Sequence, residues 1–226
     1  MSRSALLFSI LLVLGCSDLT VGSGGVVQLE VTQPQLLTIE IGETLALTAR
    51  ALDKDGNEVA APVTWLAPDP TLTVDAAGVI TGVSAGTGRV QASAGNLPSA
   101  VLQFTVIPRA DTLIVTDSVF TIIPGGAASP PLVAALQSFN LAGPLADRPI
   151  VYAIIDPPEV VPHLVELPGG VLIDTLNTGT DGAVTSVTLN RATLAQPDTA
   201  IVEVRAFRTR GAPVPGSGQR FRVIFQ

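Results

Sequence analysis

The chain has 226 residues, with 12 Lys and Arg against 19 Asp and Glu, giving a formal net charge of −7 at pH 7. Charged residues make up 14% of the chain, against roughly 25% in an average globular domain. An acidic surface is repelled by phosphate backbones, so we expect no nucleic-acid partner. Abundant Val, Ile, Leu, Thr and Gly favour packed β-structure over disorder.

Residues 1–15 contain the three parts of a secretory signal peptide: the positive charge of Arg3, an apolar run over 5–14, and a small residue, Gly15, at the end. The apolar run has about half of the ~20 residues that a membrane-spanning helix needs. The next residue, Cys16, is the only cysteine of the chain. The sequence over 13–16, Val-Leu-Gly-Cys, resembles the lipobox of bacterial lipoproteins, which implies that Cys16 is acylated and begins the mature chain.

Cleavage before Cys16 would leave 11 basic and 19 acidic side chains, a net charge of −8. More than one acyl chain gives stable attachment, so the expected partner of the N-terminus is a membrane. Ser17 stands where Asp signals retention at the inner membrane in enterobacteria, which favours an outer membrane lipoprotein, periplasmic or surface-facing. Residues 16–25 end in Gly-Ser-Gly-Gly and predict a flexible tether.

From Val26 onward, short segments alternate apolar and polar residues and are separated by turn residues, a pattern typical of half-buried antiparallel strands. The segments at 27–31 and 37–41 alternate strictly, and the run at 63–65 carries the only tryptophan, Trp65. About seven strands in roughly 80 residues indicate a sandwich of two sheets, with Trp65 in its core.

Several motifs in residues 26–108 resemble the group 2 bacterial immunoglobulin-like domain. They are Gly-Glu-Thr-Leu at 42–45, Ala-Leu-Asp-Lys-Asp-Gly at 51–56, Val-Thr-Trp at 63–65, Val-Asp-Ala-Ala-Gly-Val-Ile-Thr-Gly at 74–82, Ala-Gly-Thr-Gly at 85–88 and Val-Gln-Ala-Ser-Ala at 90–94. The resemblance implies an extracellular β-sandwich that serves as a spacer or binding module and brings no catalytic residues.

Residues 111–226 show a similar texture, with eight candidate strands at 112–115, 119–123, 131–139, 150–156, 171–176, 183–189, 200–207 and 220–225. The segment 177–189 faintly resembles the group 1, invasin-type bacterial immunoglobulin-like domains. Residues 108–111 form the joint between the two blocks, and Pro108 suits a short, stiff connection. The predicted fold is therefore all-β, with two tandem immunoglobulin-like β-sandwiches after a cleaved signal peptide.

Candidate metal ligands are few. Asp53, Asp55 and Asn57 resemble the opening of a calcium loop, because hard cations need several oxygen ligands around a tight turn. Thr64 occupies the twelfth position, where such a loop places a glutamate, so an acidic hairpin turn is the stronger interpretation. His163 is the only histidine, and a zinc site needs further ligands. We expect no metal and no cofactor.

No enzyme class is supported by a complete set of residues. Residues 82–86 match Gly-x-Ser-x-Gly around Ser84, but short strands flank the match and no helix follows it, as a serine hydrolase would require. Ser84 is therefore predicted to lie in a turn, and the only histidine lies in the other block. A glycosidase needs just two carboxylates, yet carbohydrate sites favour aromatic platforms, and aromatic residues are 4% of the chain.

Arginines cluster near the C-terminus. Arg220 and Arg222 lie two apart on a predicted strand, and Arg208 and Arg210 lie across a predicted hairpin whose exposed tip is 211–218. If the register places the two pairs opposite each other, they form a possible basic binding stripe for lipid head groups or an acidic partner. A solvated sheet face is the simpler interpretation.

The sequence thus predicts a non-catalytic cell-envelope lipoprotein whose immunoglobulin-like domains act in adhesion, surface display or structural spacing. Two alternatives remain: an accessory subunit of an envelope assembly, and a polysaccharide-binding module. The expected partners are a membrane, through the lipid anchor, and another envelope protein or a polysaccharide.

Overall fold

A computed structural model describes residues 25–139, 145–158, 162–192 and 198–226. The predicted signal peptide, Cys16 and most of the tether lie outside these residues. None of the described residues forms a helix, so none forms one long and apolar enough to cross a membrane. The predicted all-β class is confirmed.

Residues 25–108, here called the first half, form ten strands. They are β1 (Gln28–Val31), β2 (Thr38–Glu40), β3 (Thr44–Ala46), β4 (Ala49–Leu52), β5 (Thr64–Leu66), β6 (Leu72–Val74), β7 (Val79–Gly82), β8 (Gly86–Ala94), β9 (Leu97–Pro98) and β10 (Leu102–Ile107). The main sheet has the order β2-β10-β8-β5, with β2 parallel to β10, and smaller sheets join β3-β7-β6 and β1-β4.

The described part of residues 109–226, here called the second half, forms ten more strands. They are β11 (Thr112–Val115), β12 (Val119–Ile122), β13 (Ala134–Gln137), β14 (Pro149–Asp156), β15 (Val165–Glu166), β16 (Ile173–Asn177), β17 (Ala183–Val184), β18 (Asn190–Arg191), β19 (Thr199–Ala206) and β20 (Gln219–Phe225). The largest sheet has the order β12-β20-β19-β14-β16; the others are β11-β13-β17 and β15-β18.

The buried apolar residues separate along the same division. Two apolar clusters contain only residues from 26–106, and the partly buried Trp65 packs against both of them. One larger cluster draws only on residues 110–225 and includes the fully buried Tyr152 and Phe221, whose rings stack with centroids 6.5 Å apart. Among the described residues, no strand pairing joins the two halves.

Three local predictions differ from the structure. The strand predicted at 183–189 is only two residues long, at Ala183–Val184. The strand predicted at 131–139 is shorter, at Ala134–Gln137, because Pro130 and Pro131 provide no backbone N–H for pairing. The 211–218 tip is not an exposed loop as a whole: Val214 is 1% exposed, and the Leu113 N–H donates to the Pro215 carbonyl at 2.8 Å. This segment is therefore folded back onto the second half.

Candidate functional site: a charged junction between the halves

A buried carboxylate of the first half faces arginines of the second half. Glu40, the last residue of β2, is 1% exposed. Its Oε1 accepts a hydrogen bond from Nη2 of Arg148, and its Oε2 lies 3.8 Å from Nε of Arg208. Both arginines are largely buried, with side chains 12% and 24% exposed. One acidic side chain thus holds two cationic side chains that arrive from different loops.

The turn after β2 holds Glu40 in place. The Glu43 N–H donates to the Glu40 carbonyl at 3.0 Å, and Gly42 has a φ of 76°, a conformation that glycine adopts without strain. In return, the Glu43 carboxylate accepts from the Glu40 N–H at 2.8 Å. Gly82 approaches so closely that an added Cβ would lie 2.6 Å from the Glu40 carbonyl oxygen.

Thr178 lies opposite Arg148 at the end of the sheet and holds the Arg148 backbone in place. Arg148 directly precedes β14, and its N–H donates to Oγ1 of Thr178 at 3.0 Å. The Thr178 N–H donates back to the Arg148 carbonyl at 2.9 Å, and the Thr178 hydroxyl donates to the Leu145 carbonyl. Thr178 is 3% exposed. The backbone that carries Arg148 is therefore fixed before the side chain reaches Glu40.

Arg208 and Arg210 lie in a tight turn that follows β19. The Gly211 N–H donates to the Arg208 carbonyl at 2.9 Å, with a φ of 83° at Gly211. Nε of Arg210 lies 2.8 Å from Oε1 of Glu43, and its Nη2 donates to the Thr38 carbonyl at 3.0 Å. This turn therefore projects two cations onto the acidic turn of the first half.

The electrostatics of Glu40 are dominated by desolvation. Burial raises the pKa of Glu40 above its ordinary value of 4.5, and Glu43 adds a smaller upward effect. The guanidinium of Arg148 opposes burial through charge and hydrogen bonding, with a smaller contribution from Arg208. A buried ion pair of this kind costs much of what it gains, so its main effect is to specify one geometry.

Two clefts flank the junction. One, of about 280 Å³, is lined mostly by charged side chains, among them Arg109, Arg208 and Glu43. The other, of about 350 Å³, is more apolar and is lined by Ile107, Pro108 and residues 145–148. Both are formed by residues of the two halves together, so their shape depends on how the halves are held.

The predicted arginine stripe is divided in the structure. Arg208 and Arg210 contact the first half, whereas Arg220 lies opposite Glu203 on β19, with its Nη2 3.1 Å from Oε2 of that residue. Arg222 is exposed and lies opposite Ile201. The register therefore does not place the two arginine pairs opposite each other. Arg148, which the sequence analysis did not single out, is the closest cation to Glu40.

The candidate calcium loop is a hydrogen-bonded turn. Asp53 Oδ1 accepts from the Asp55 and Asn57 N–H groups at 2.8 and 2.9 Å, and these bonds contribute to lowering the pKa of Asp53, with the Asn57 N–H the largest cause. Asp55 pairs with Lys54 instead, at 2.9 Å. Among the described residues, no group of three or more His, Cys, Asp and Glu side chains is placed to hold a metal ion.

The residues considered for catalysis lie apart. Ser84 is exposed in the turn between β7 and β8, where its N–H lies 3.4 Å from the Thr71 carbonyl. His163, partly buried, belongs to the second half. The Gly-x-Ser-x-Gly match is thus followed by β8 and not by a helix, as expected from the sequence.

No family model and no curated protein sequence matches this chain. Among solved structures, the chain is similar to the Yersinia pseudotuberculosis adhesin InvE, with a TM-score of 0.40 and 17% identity over 88% of this chain and 58% of that one. It is also similar to domains 4 and 5 of the S-layer protein SbsC (TM-score 0.34, 16% identity, 88% and 98% covered). A third similar structure is the D0-D1 domain of intimin (TM-score 0.31, 14% identity, 87% and 98% covered). The chain spans little more than half the length of the adhesin.

Proposed function

We propose that this protein is a non-catalytic envelope lipoprotein, anchored through Cys16, in which two immunoglobulin-like sandwich domains form a stiff spacer for adhesion or surface display. The lipobox-like sequence supports the anchor, and the motifs of residues 26–108 support the immunoglobulin-like assignment. The separate cores of the two halves support the division into two domains. The observation that carries the spacer function is the buried junction at Glu40.

A junction of this kind resists bending. If the second half rotated away, Glu40 would lose the two cations that cover it, Arg148 and Arg208. The motion would therefore break both contacts of a carboxylate that is 1% exposed in the folded chain. A second contact, between Glu43 and Arg210, opposes the same motion. The ground state is therefore one orientation of the two halves.

The connection between the halves is also short. β10 ends at Ile107 and β11 begins at Thr112, which leaves residues 108–111 between them. Asp111 is only 9% exposed, and its N–H donates to the Gln137 carbonyl at 2.8 Å. Its carboxylate lies 3.0 Å from Nε of Arg109. A linker with so little free chain limits the accessible orientations even before the ion pairs form.

The anchor is tested by membrane fractionation and intact mass of the native protein beside a Cys16→Ser variant. We expect the native chain to begin at Cys16, carry added acyl mass and remain with the membrane, and the variant to be released. An unmodified, soluble native protein would contradict the lipoprotein assignment.

The spacer is tested by pulsed electron spin resonance between labels on the two halves, in the otherwise cysteine-free Cys16→Ser chain. Cysteines at Thr73 and Thr121, both exposed, carry the labels. We expect a single narrow distance distribution that broadens in Arg148→Ala. A broad distribution in the parent chain would contradict a stiff spacer, whatever the outcome for the anchor.

A further inference from the structure

The outer face of the largest sheet carries exposed apolar side chains at β14 and β16. Strand β14 is apolar on both sides: Tyr152 and Ile150 point into the core and are fully buried, while Val151, Ala153 and Ile155 alternate with them. A strand with a continuously apolar sequence is typical of a sheet that is covered on both faces. Here the outer side remains open, since Ile155 is 37% exposed and Ile173 beside it is 63% exposed.

One row of residues crosses four of the five strands of this face. Ile201 on the central strand β19 lies opposite Arg222 of β20 on one side and opposite Asp156 of β14 on the other. Beyond Arg222, Val119 of β12 continues the row. The row therefore consists of Val119, Arg222, Ile201 and Asp156.

This row is complementary to itself. A two-fold axis along β19 would lay a second copy face to face with the first and exchange the two sides of the row. Arg222 of each copy would then face Asp156 of the other, and Ile201 would meet its own copy. Both charged residues are exposed, and neither forms an ion pair among the described residues. Isologous interfaces require this kind of self-complementarity.

In the next row, the carboxylate of Glu203 already has partners within its own chain. Glu203 of β19 follows Ile201 on the same face and is 6% exposed, because Arg205 and Arg220 both pair with its carboxylate. One carboxylate and two guanidinium groups leave this cluster with a net charge of +1, and the repulsion between two copies of it would keep the contact weak. The remaining members of the row, Ala153 and Ile173, are apolar.

We propose that this outer face is a weak homotypic interface, in which two copies of the chain pack sheet on sheet about a two-fold axis along β19. Five strands about 4.8 Å apart and four to five residues long present roughly 350 Å² per copy, against the ~800 Å² per partner of a standard stable interface. The contact is therefore expected to be weak and reversible. Attachment to one membrane would raise the effective concentration and favour it.

The proposal is tested by sedimentation velocity of the Cys16→Ser chain over a concentration series that reaches about 1 mM. Arg222→Asp and Asp156→Arg are each expected to weaken the dimer about tenfold, because each places like charges opposite each other. The double variant restores the pairing with exchanged charges and should regain most of the affinity. Lys54→Glu, on an exposed turn of the first half, is the matched control and should leave the dimer unchanged.

A second readout is covalent. Ile201→Cys in the same cysteine-free chain should form a disulfide dimer under mild oxidation much faster than Val101→Cys, a control in the first half that is 53% exposed. A monomer at all concentrations would overturn the proposal and leave the face to a different partner. Open-ended association, or a double variant no better than the single ones, would also overturn it. Unchanged unfolding midpoints of the variants establish that they are folded.

Discussion

Replacing Glu40 with alanine removes the carboxylate at the centre of the junction. The substitution leaves the turn at Gly42 intact, since its hydrogen bonds are between backbone groups or involve Glu43. What changes is the environment of Arg148, whose side chain is 12% exposed and would lose its partner. The variant therefore tests the charge itself and not the shape of the loop.

The expected loss in unfolding free energy is about 3 kcal/mol, at the lower end of the range for breaking a buried pair. The lower end applies because Arg148 and Arg208 belong to surface loops, and a freed guanidinium on a long stem reaches water more easily than a core group. For comparison, Arg50→Ala breaks an exposed pair with Glu30 and should cost less than about 1 kcal/mol.

Urea unfolding is followed with two probes that the chain provides without labels. Trp65 is the only tryptophan and reports on the first half, and Tyr152 is the only tyrosine and reports on the second. If the junction couples the halves, the two transitions coincide more closely in the parent chain than in Glu40→Ala. The separation of the two midpoints measures the coupling directly.

A double-mutant cycle identifies the cause. Glu40→Leu with Arg148→Met removes both charges and keeps side chains of similar length, so it should be less destabilising than Glu40→Ala, and within about 1–2 kcal/mol of the parent chain. Equal losses in Glu40→Ala and in the exposed control Arg50→Ala would refute the reasoning. Additive effects of Glu40→Leu and Arg148→Met would also refute it, since additivity means that the two residues do not interact.

Three further predictions concern single sites. Burial raises the pKa of Glu203, but the stronger combined effect of its two arginine partners lowers that pKa below 4.5. Glu203→Gln should therefore lower the unfolding free energy by about 1 kcal/mol above that pH. In urea titrations at a series of pH values, the difference from the parent chain should vanish as the pH falls through the lowered pKa. Gly82→Ala should destabilise the first half by about 1–3 kcal/mol in Trp fluorescence, because the new Cβ collides with the Glu40 carbonyl. On the edge strand β16, the carboxylate of Asp174 accepts a hydrogen bond from the Thr175 N–H. Asp174→Ala would free that donor to pair with the strand of another chain. The variant should therefore scatter more light at high concentration while its urea midpoint stays nearly unchanged.

Local features of the fold are predictable from the sequence. The turn at residues 53–57 follows from the preference of Asp, Gly and Asn for such turns, and the structure shows the Gly56 N–H donating to the Asp53 carbonyl at 3.1 Å. The segment around Trp65 is a strand, β5, as its composition indicates. These features depend on residues within a few positions of each other, so the sequence contains what determines them.

The junction is not predictable in the same way. The alternation over residues 37–41 predicts that Glu40 points to solvent, and within the first half alone that interpretation is reasonable. Glu40 is buried because Arg148 and Arg208, more than 100 residues later, cover it. No local pattern marks Arg148 as a partner of Glu40, and the spacing of Arg208 and Arg210 equally fits an exposed hairpin.

The chemistry of the junction suits a spacer better than an apolar contact would. Two apolar surfaces of similar shape can slide with little loss, because the hydrophobic effect depends on area and not on direction. The pairs at Glu40 and Glu43 are directional, and displacement leaves a charge without its partner. Each half also keeps its own apolar core, so no large apolar surface is exposed if the halves separate. The junction thereby fixes one orientation of the halves, and the coincidence of the Trp65 and Tyr152 transitions measures how strongly it couples them.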